Sequence, residues 1–102
     1  MSVVNNPDLK NIIKQADRKY LYFVRQQAPS LLEEAASDTK SEIPVIPSFN
    51  KFLNHTLKNY LTKELRKKGY FNGVVEELVK YYERTFYYSS LPNLREQSSY
   101  SH

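Results

Sequence analysis

Residues 48–69 read SFNKFLNHTLKNYLTKELRKKG, and this stretch decides the fold class. Its apolar residues recur at the three- and four-residue spacing that places side chains on one face of an α-helix. Ser48 can cap the first turn, and Gly69 suits the left-handed residue that ends many helices. We predict a helix from Phe49 to Lys68. Its buried stripe should consist of Phe49, Phe52, Leu53, Leu57, Tyr60, Leu61 and Leu65.

The segment after Gly69 predicts a second helix that packs against the first as a hairpin. Asn72 can cap a helix from about Gly73 to Tyr87, and the apolar residues of this segment again have helical spacing. Residues 89–102, SSLPNLREQSSYSH, are polar and have no such period. We therefore predict a domain over residues 1–88, followed by a flexible C-terminal tail at residues 89–102, unless Leu91 and Leu94 dock this segment on the core.

The first part of the chain predicts two further helices. Apolar residues with helical spacing indicate a helix from Asp8 to Gln27, with Asn6 as its N-cap. Pro29 should end this helix, because proline lacks an amide donor and disfavours the helical conformation in the residue before it. The sequence SLLE at residues 30–33 matches a capping box, which predicts a short helix over residues 31–37.

Residues 38–47 predict a connector between the two halves of the chain. The segment is polar at its start and contains two prolines, which suit an extended conformation better than a helix or a central strand. Three aliphatic residues should attach the connector to the core, namely Ile43, Val45 and Ile46.

The two halves of the chain also align with each other at an offset of 40 residues, which pairs Tyr20 with Tyr60. Any two amphipathic helices can be aligned at some offset, and that is the simpler explanation. We prefer an internal duplication, in which each half is a long helix, a turn and a second helix. The prediction is an all-α fold of four helices, arranged as two repeated helix-turn-helix units over residues 7–37 and 48–88, with a groove where the units meet.

The composition restricts the classes of function. A chain of 102 residues can bury one modest core, and the lack of cysteine excludes disulfides and thiolate metal sites. The sequence shows no secretory signal and no long apolar run, so we expect an intracellular protein with no membrane contact. Neither a zinc-binding histidine cluster nor a glycine-rich phosphate loop is present. We predict a non-catalytic protein with no cofactor, no metal and no small-molecule substrate.

Aromatic residues are unusually numerous, with 9 tyrosines and 5 phenylalanines. Five tyrosines fall outside the predicted buried stripes, namely Tyr22, Tyr70, Tyr81, Tyr87 and Tyr88. Exposed tyrosines supply contact area at low entropic cost in recognition surfaces. We therefore predict that these five residues bind a peptide or protein partner in the groove between the repeats. The alternative is that they are scattered surface residues.

The net charge of +4 suggests a second function, because one predicted helix carries a basic cluster. The cluster consists of Lys58, Lys63, Arg66, Lys67 and Lys68. A basic helix followed by a turn and another helix occurs in several DNA-binding proteins. The following helix carries Glu76, Glu77 and Glu83, however, whose charges would repel phosphates. Weakly sequence-specific nucleic-acid binding by residues 58–68 is therefore the alternative function, and the same charges could serve only for solubility.

Residues 59–88, NYLTKELRKKGYFNGVVEELVKYYERTFYY, resemble the small orphan proteins of filamentous viruses that infect hyperthermophilic archaea, of the lipothrixvirus type. The resemblance extends over the whole chain and involves no functional motif. It implies a virus-encoded protein made in the cytoplasm of an archaeal host, and it assigns no activity and no site residue.

Overall fold

The computed structural model describes the backbone of residues 7–100 and the side chains of residues 7–97. These residues form three helices and contain no strand. In chain order the helices are α1 (Pro7–Ser37), α2 (residues 47–67) and α3 (residues 72–100). The all-α class is confirmed. The predicted number of four helices is wrong, because the segments on either side of Pro29 form one helix. Asn6, the predicted N-cap of α1, lies outside the described residues.

Helix α1 continues through Pro29 because packing on both sides of the proline offsets its cost. Val24, Leu31 and Ala35 are buried and continue one stripe past the proline. A proline inside a helix costs about 3 kcal/mol, whereas burying one leucine side chain stabilises by roughly 1.5–3 kcal/mol. Pro29 lies on the exposed side of α1, where water can bind the carbonyl oxygen that loses its donor. The predicted turn and capping box at residues 28–33 therefore do not form.

Helix α2 contains a wider turn that keeps its apolar stripe facing the core. Its fully buried residues are four positions apart, namely Phe49, Leu53, Leu57, Leu61 and Leu65. In a regular α-helix each four-residue step rotates about 40° past a full turn, so such a stripe would drift around the helix. The segment Phe52–Leu57 is π-helical, and its wider turn takes up part of this drift.

Gly69 ends α2 in the manner that the sequence predicts. Its φ angle is +83°, in the left-handed region that favours glycine. The amide of Gly69 donates to the carbonyl oxygen of Arg66 (3.1 Å), and the amide of Tyr70 donates to that of Leu65 (3.0 Å). These two bonds form a Schellman motif, which satisfies the last carbonyl groups of α2 and reverses the chain toward α3.

Helix α3 also contains a π-helical turn, at Phe86–Ser90, and then continues as the α-helix Leu91–Tyr100. The buried residues Phe86 and Leu91 are five positions apart, and the wider turn places both on the inner face. Leu94 packs against the same core. The described part of the segment after residue 88 is thus helical, and Leu91 and Leu94 dock it on the core, which is the alternative to a flexible tail. The last two residues of the chain lie outside the described residues.

The three helices pack around one core in which the predicted stripes meet. Phe23 of α1 stacks on Phe52 of α2 with a centroid distance of 4.1 Å. Phe49 of α2 stacks on Phe86 of α3 with a centroid distance of 4.0 Å. Such ring pairs contribute about 0.5–1.5 kcal/mol beyond the burial of their area. The aromatic contacts therefore connect all three helices.

The described residues do not show two equivalent helix-turn-helix units. Residues 7–37 are a single helix, whereas the second half of the chain turns at residues 68–71. Tyr20 is buried, but Tyr60, with which the offset aligns it, is half-buried beneath the ammonium group of Lys19. The aligned residues thus have different surroundings, and the first unit lacks the turn that would make it a repeat.

The described part of the molecule is elongated along α1. Its dimensions are 47 × 24 × 22 Å, and a helix of the 31 residues in α1 is about 46 Å long. Among the described residues, no helix has the length and apolar character needed to cross a membrane.

Candidate functional site

The connector between α1 and α2 is held in shape by one carboxylate. Asp38 Oδ1 accepts hydrogen bonds from the amides of Lys40 (3.3 Å) and Ser41 (3.2 Å), and Oδ2 accepts one from the amide of Val45 (2.9 Å). These bonds, above all that from Val45, hold the pKa of the Asp38 carboxyl below its usual range. One side chain therefore ties the start of the connector to its end.

A second carboxylate fixes the junction between the connector and α2. Helix α2 begins at Pro47, with Ile46 as its N-cap and no hydrogen bond from a capping side chain. Glu34 Oε1, on α1, accepts a 2.8 Å hydrogen bond from the amide of Ser48 and so satisfies one free donor of the first turn. Ser48, predicted as the N-cap, instead lies within the helix, and its amide donates to Glu34 of α1.

The connector turns two aliphatic side chains away from the core. Pro44 and Ile46 are buried, whereas Ile43 and Val45 are 48% and 56% exposed. In an extended segment successive side chains point to opposite sides, which explains this alternation. The prediction that all three aliphatic residues attach the connector to the core is therefore correct for Ile46 alone.

Two neighbouring cavities open between the connector and α3, and we call them together the Pro44 groove. Their volumes are about 320 Å³ and about 280 Å³. Both cavities are lined by the same four residues, namely Ile43, Pro44, Tyr87 and Tyr88. These shared residues form the wall between the cavities, so the two depressions belong to one surface.

Tyr87 is the fixed part of this wall. Its ring lies edge-on to Phe49 at 5.9 Å and to Phe86 at 5.2 Å between centroids. Burial raises the pKa of the Tyr87 hydroxyl, and a hydrogen bond with the backbone of Ile46 opposes this increase. Tyr88, by contrast, is 69% exposed. The groove therefore combines one ring that is packed against the core with one that is open to solvent.

Charged side chains lie at the edge of each cavity. Glu83 and Arg84 edge the larger cavity, and Glu42 and Arg95 edge the smaller one. Each depression thus combines an apolar wall with one acidic and one basic group at its rim. This arrangement suits a ligand that has apolar side chains on a polar backbone, as a peptide does.

The structure does not bring the five predicted tyrosines together. Tyr87 and Tyr88 line the groove, whereas Tyr22 is 68% exposed on α1. Tyr70 packs against the core near the turn between α2 and α3, and Tyr81 contacts its neighbour on α3. Sequence reasoning found two residues of the groove but missed its connector side. The sequence did contain a signal for the connector side, namely the predicted extended conformation. Successive side chains of an extended segment point to opposite sides, so some of its aliphatic residues must point outward.

The predicted basic cluster of residues 58–68 is partly neutralised. Three ion pairs involve it, namely Lys58–Glu76 (3.1 Å), Lys67–Glu64 (3.4 Å) and Lys68–Asp8 (3.8 Å). Arg66 donates to the side-chain oxygen of Asn72 at 3.5 Å. All three ion pairs are partly exposed, so each stabilises the fold by at most about 1 kcal/mol. Their carboxylates nevertheless reduce the positive potential of this surface.

Two other tyrosines lie inside the molecule and connect α1 to α3. The Tyr82 hydroxyl donates to Asp17 Oδ1, and the Tyr20 hydroxyl shares a hydrogen bond with the Ser90 hydroxyl. Their ring centroids are 5.4 Å apart. Burial raises the pKa of both phenols, and the Asp17 carboxylate raises that of Tyr82 further. These hydroxyl groups are used in packing and are not open to a ligand.

A third and shallower groove, of about 530 Å³, lies between the ends of α1 and α3. Small or aliphatic residues form most of its walls, namely Ala28, Pro29, Leu32, Ala36 and Leu94. None of the five predicted tyrosines lines it. Among residues 7–97 there is also no group of three or more histidine, aspartate or glutamate side chains that could hold a metal ion.

No family model, curated protein or solved structure matches the chain. Its function must therefore be inferred from the Pro44 groove and from the distribution of charge on its surface.

Proposed function

We propose that the protein is a non-catalytic interaction module that binds a peptide or protein segment in the Pro44 groove. One observation carries this proposal, namely the exposure of Ile43, Val45 and Tyr88 around two neighbouring cavities. Large apolar side chains that are grouped beside a concave surface are typical of binding sites, whereas isolated exposed ones are ordinary.

The shape of the groove suits the side chains of one apolar segment. Two cavities on either side of a shared wall can each accept one anchor residue, as grooves that bind helical or extended peptides do. The described residues contain no strand and therefore offer no sheet edge to such a peptide. Recognition would depend on the anchors, with the packed ring of Tyr87 and the solvent-exposed ring of Tyr88 as the aromatic contacts.

The connector supports the proposal because it is ordered before any partner binds. The three amides held by Asp38 and the one held by Glu34 fix the segment that carries Ile43 and Val45. An interface that is already ordered loses less conformational entropy on association. Exposed apolar residues on a fixed segment are therefore better suited to binding than the same residues on a mobile loop.

Nucleic-acid binding by residues 58–68 is a weaker proposal. Three of its five cations are within 4 Å of a carboxylate, and Glu76, on α3, is one of those partners. The resemblance to proteins of archaeal viruses assigns no activity, so it favours neither function.

The test is selection of peptides from a random display library on the immobilised wild-type protein. We expect the selected peptides to share two apolar anchor residues. Their affinity should fall when Tyr88→Ala or Ile43→Ser is introduced, because a central ring in such a site contributes about 2 kcal/mol or more. Thermal unfolding of each variant shows whether the fold is retained.

Phe71→Ala and Tyr22→Ala are the matched controls, because both rings are exposed to an extent similar to Tyr88 but do not line the groove. Selected peptides that bind these variants normally and lose affinity for Tyr88→Ala would support the groove. Peptides whose binding is equally sensitive to all three changes would contradict it.

A further inference from the structure

The outer face of α1 carries a stripe of cations to which the sequence pattern assigned no function. Its members are Lys10, Lys14, Arg18 and Arg25, and all four are exposed. At about 100° per residue these positions fall within an arc of about 80°, opposite the buried stripe that begins at Leu9 and Ile12. The stripe is about 22 Å long.

These four cations differ from the basic cluster on α2 in lacking counter-charges. None of them has an ion-pair partner among the described side chains, residues 7–97. Asp17 is the only acidic residue between positions 9 and 32. Its carboxylate accepts the hydrogen bond of the buried Tyr82 and so belongs to the inner side of α1. The outer face therefore presents four cations, with Asp17 at its inner edge as the one acidic side chain of this stretch.

An exposed aromatic ring lies on the same face. Tyr22 is four positions after Arg18 and is 68% exposed, and Leu21 beside it is also exposed. Helical residues four apart are neighbours on the surface. The stripe therefore continues from its cations into a ring whose face is open to solvent.

We propose that the outer face of α1 binds single-stranded nucleic acid, with the four cations on phosphates and Tyr22 stacked on a base. Sequence-tolerant single-strand binding combines basic contacts to the phosphates with aromatic rings on which bases stack. In a duplex the bases are already stacked on one another, so no base face is free for the Tyr22 ring to stack on. A membrane-binding helix needs a broad apolar face, and here only Leu21 and Tyr22 could supply it. The inference is independent of the Pro44 groove.

The first test is fluorescence anisotropy of a labelled oligothymidylate of about 20 nucleotides, measured as a function of salt concentration. If four phosphates are contacted, the logarithm of the binding constant should fall with the logarithm of salt with a slope of about −3. The triple variant Lys10→Gln/Lys14→Gln/Arg18→Gln should bind about tenfold more weakly or worse at low salt, with a slope of about −1.

A matched variant removes the same charge from α2. Lys63→Gln/Arg66→Gln/Lys67→Gln should leave the salt slope unchanged, because these residues lie outside the stripe. Equal weakening by both triple variants would overturn the proposal, since general attraction to a basic protein would then explain the binding. No detectable binding at low salt would overturn it as well.

Tyr22→Ala separates base stacking from charge. It should weaken binding of the oligothymidylate about tenfold without changing the salt slope, and it should leave binding of heparin, a polyanion without bases, unaltered. Thermal unfolding should be unchanged, because the ring is exposed. A Tyr22→Ala variant that binds the oligothymidylate as tightly as wild type, or a wild-type protein that prefers anionic vesicles or duplex DNA, would overturn the assignment.

Discussion

Tyr82 and Tyr88 are six positions apart on α3, yet they occupy opposite environments. Tyr82 is 1% exposed and its hydroxyl donates to Asp17, whereas Tyr88 is 69% exposed beside the Pro44 groove. The π-helical turn Phe86–Ser90 lies between the buried ring and the C-terminal helix, and Tyr88 is in the middle of it. The comparison shows that a count of aromatic residues says little about function until burial and hydrogen-bond partners separate the packing rings from the exposed ones.

The inner ring should carry the largest effect on stability. Tyr82→Ala removes a buried ring, opens a cavity and leaves Asp17 without its donor, so we expect a loss of about 3–5 kcal/mol in the free energy of unfolding. Urea denaturation measures this loss as a lower midpoint with an unchanged slope. A loss below about 1 kcal/mol would show that Tyr82 is not the packing residue that its burial indicates.

The second prediction concerns alkaline pH. The pKa of Tyr82 is raised in the folded state by burial and by the Asp17 carboxylate. Above about pH 10 the unfolded chain therefore loses this proton while the folded chain keeps it, and the free energy of unfolding falls as pH rises. Below that pH both states are protonated and the contribution is complete.

Tyr82→Phe isolates this effect, because the ring is kept and the titrating group is removed. At neutral pH the variant should be less stable than wild type by about 1–3 kcal/mol, since Asp17 loses a hydrogen bond. The difference should shrink above about pH 10, where only the wild type is penalised by deprotonation of this residue on unfolding. A difference that stays constant or grows would contradict the raised pKa. The remaining tyrosines titrate in both proteins and cancel.

The positions of the helices could be predicted from sequence because the spacing of apolar residues can be seen within each short segment. The stripes of Phe49 to Leu65 and the Schellman end at Gly69 were found in this way. The continuity of α1 could not be predicted from sequence. The cost of Pro29 is visible locally, but the burial of Leu31 and Ala35 that offsets it depends on helices far away in the chain. The signal for the wider turn was present in the four-residue spacing of α2.

The candidate site, too, could be predicted from sequence only in part. Tyr87 and Tyr88 were found because they fall outside the predicted stripe of α3. The outward direction of Ile43 and Val45 was missed, since it depends on hydrogen bonds that Asp38 makes to amides two to seven positions away. Aliphatic character predicts burial. Only the conformation of the connector shows which of its aliphatic residues remain exposed to solvent.

Removal of the Asp38 carboxylate should loosen the exposed side of the groove without unfolding the protein. In Asp38→Ala the amide of Val45 loses its acceptor, so we expect faster hydrogen exchange at this amide and little change in the unfolding midpoint. The pKa of Asp38 is lowered in the folded state, so the same loosening should appear in the wild type as pH falls below about 4.

Glu42→Gln is the matched control for this experiment, because it removes an exposed carboxylate from the same connector but from a residue to which none of the Asp38 bonds is made. Exchange at Val45 should be unaffected in this variant. Equal acceleration in both variants would mean that the general charge of the connector, and not the Asp38 hydrogen bonds, controls its order.

The smallest expected effect on stability is that of Tyr88→Ala. The ring is 69% exposed and packs little against the core, so its removal should change the free energy of unfolding by no more than about 0.5 kcal/mol. Tyr87→Ala should cost more, because its half-buried ring contacts Phe49 and Phe86. The order of loss should thus be Tyr82, then Tyr87, then Tyr88, measured by urea denaturation under one set of conditions. If Tyr88→Ala were as destabilising as Tyr87→Ala, the outer ring would be a packing residue, and the difference between the inside and the outside of α3 on which the peptide-binding proposal depends would disappear.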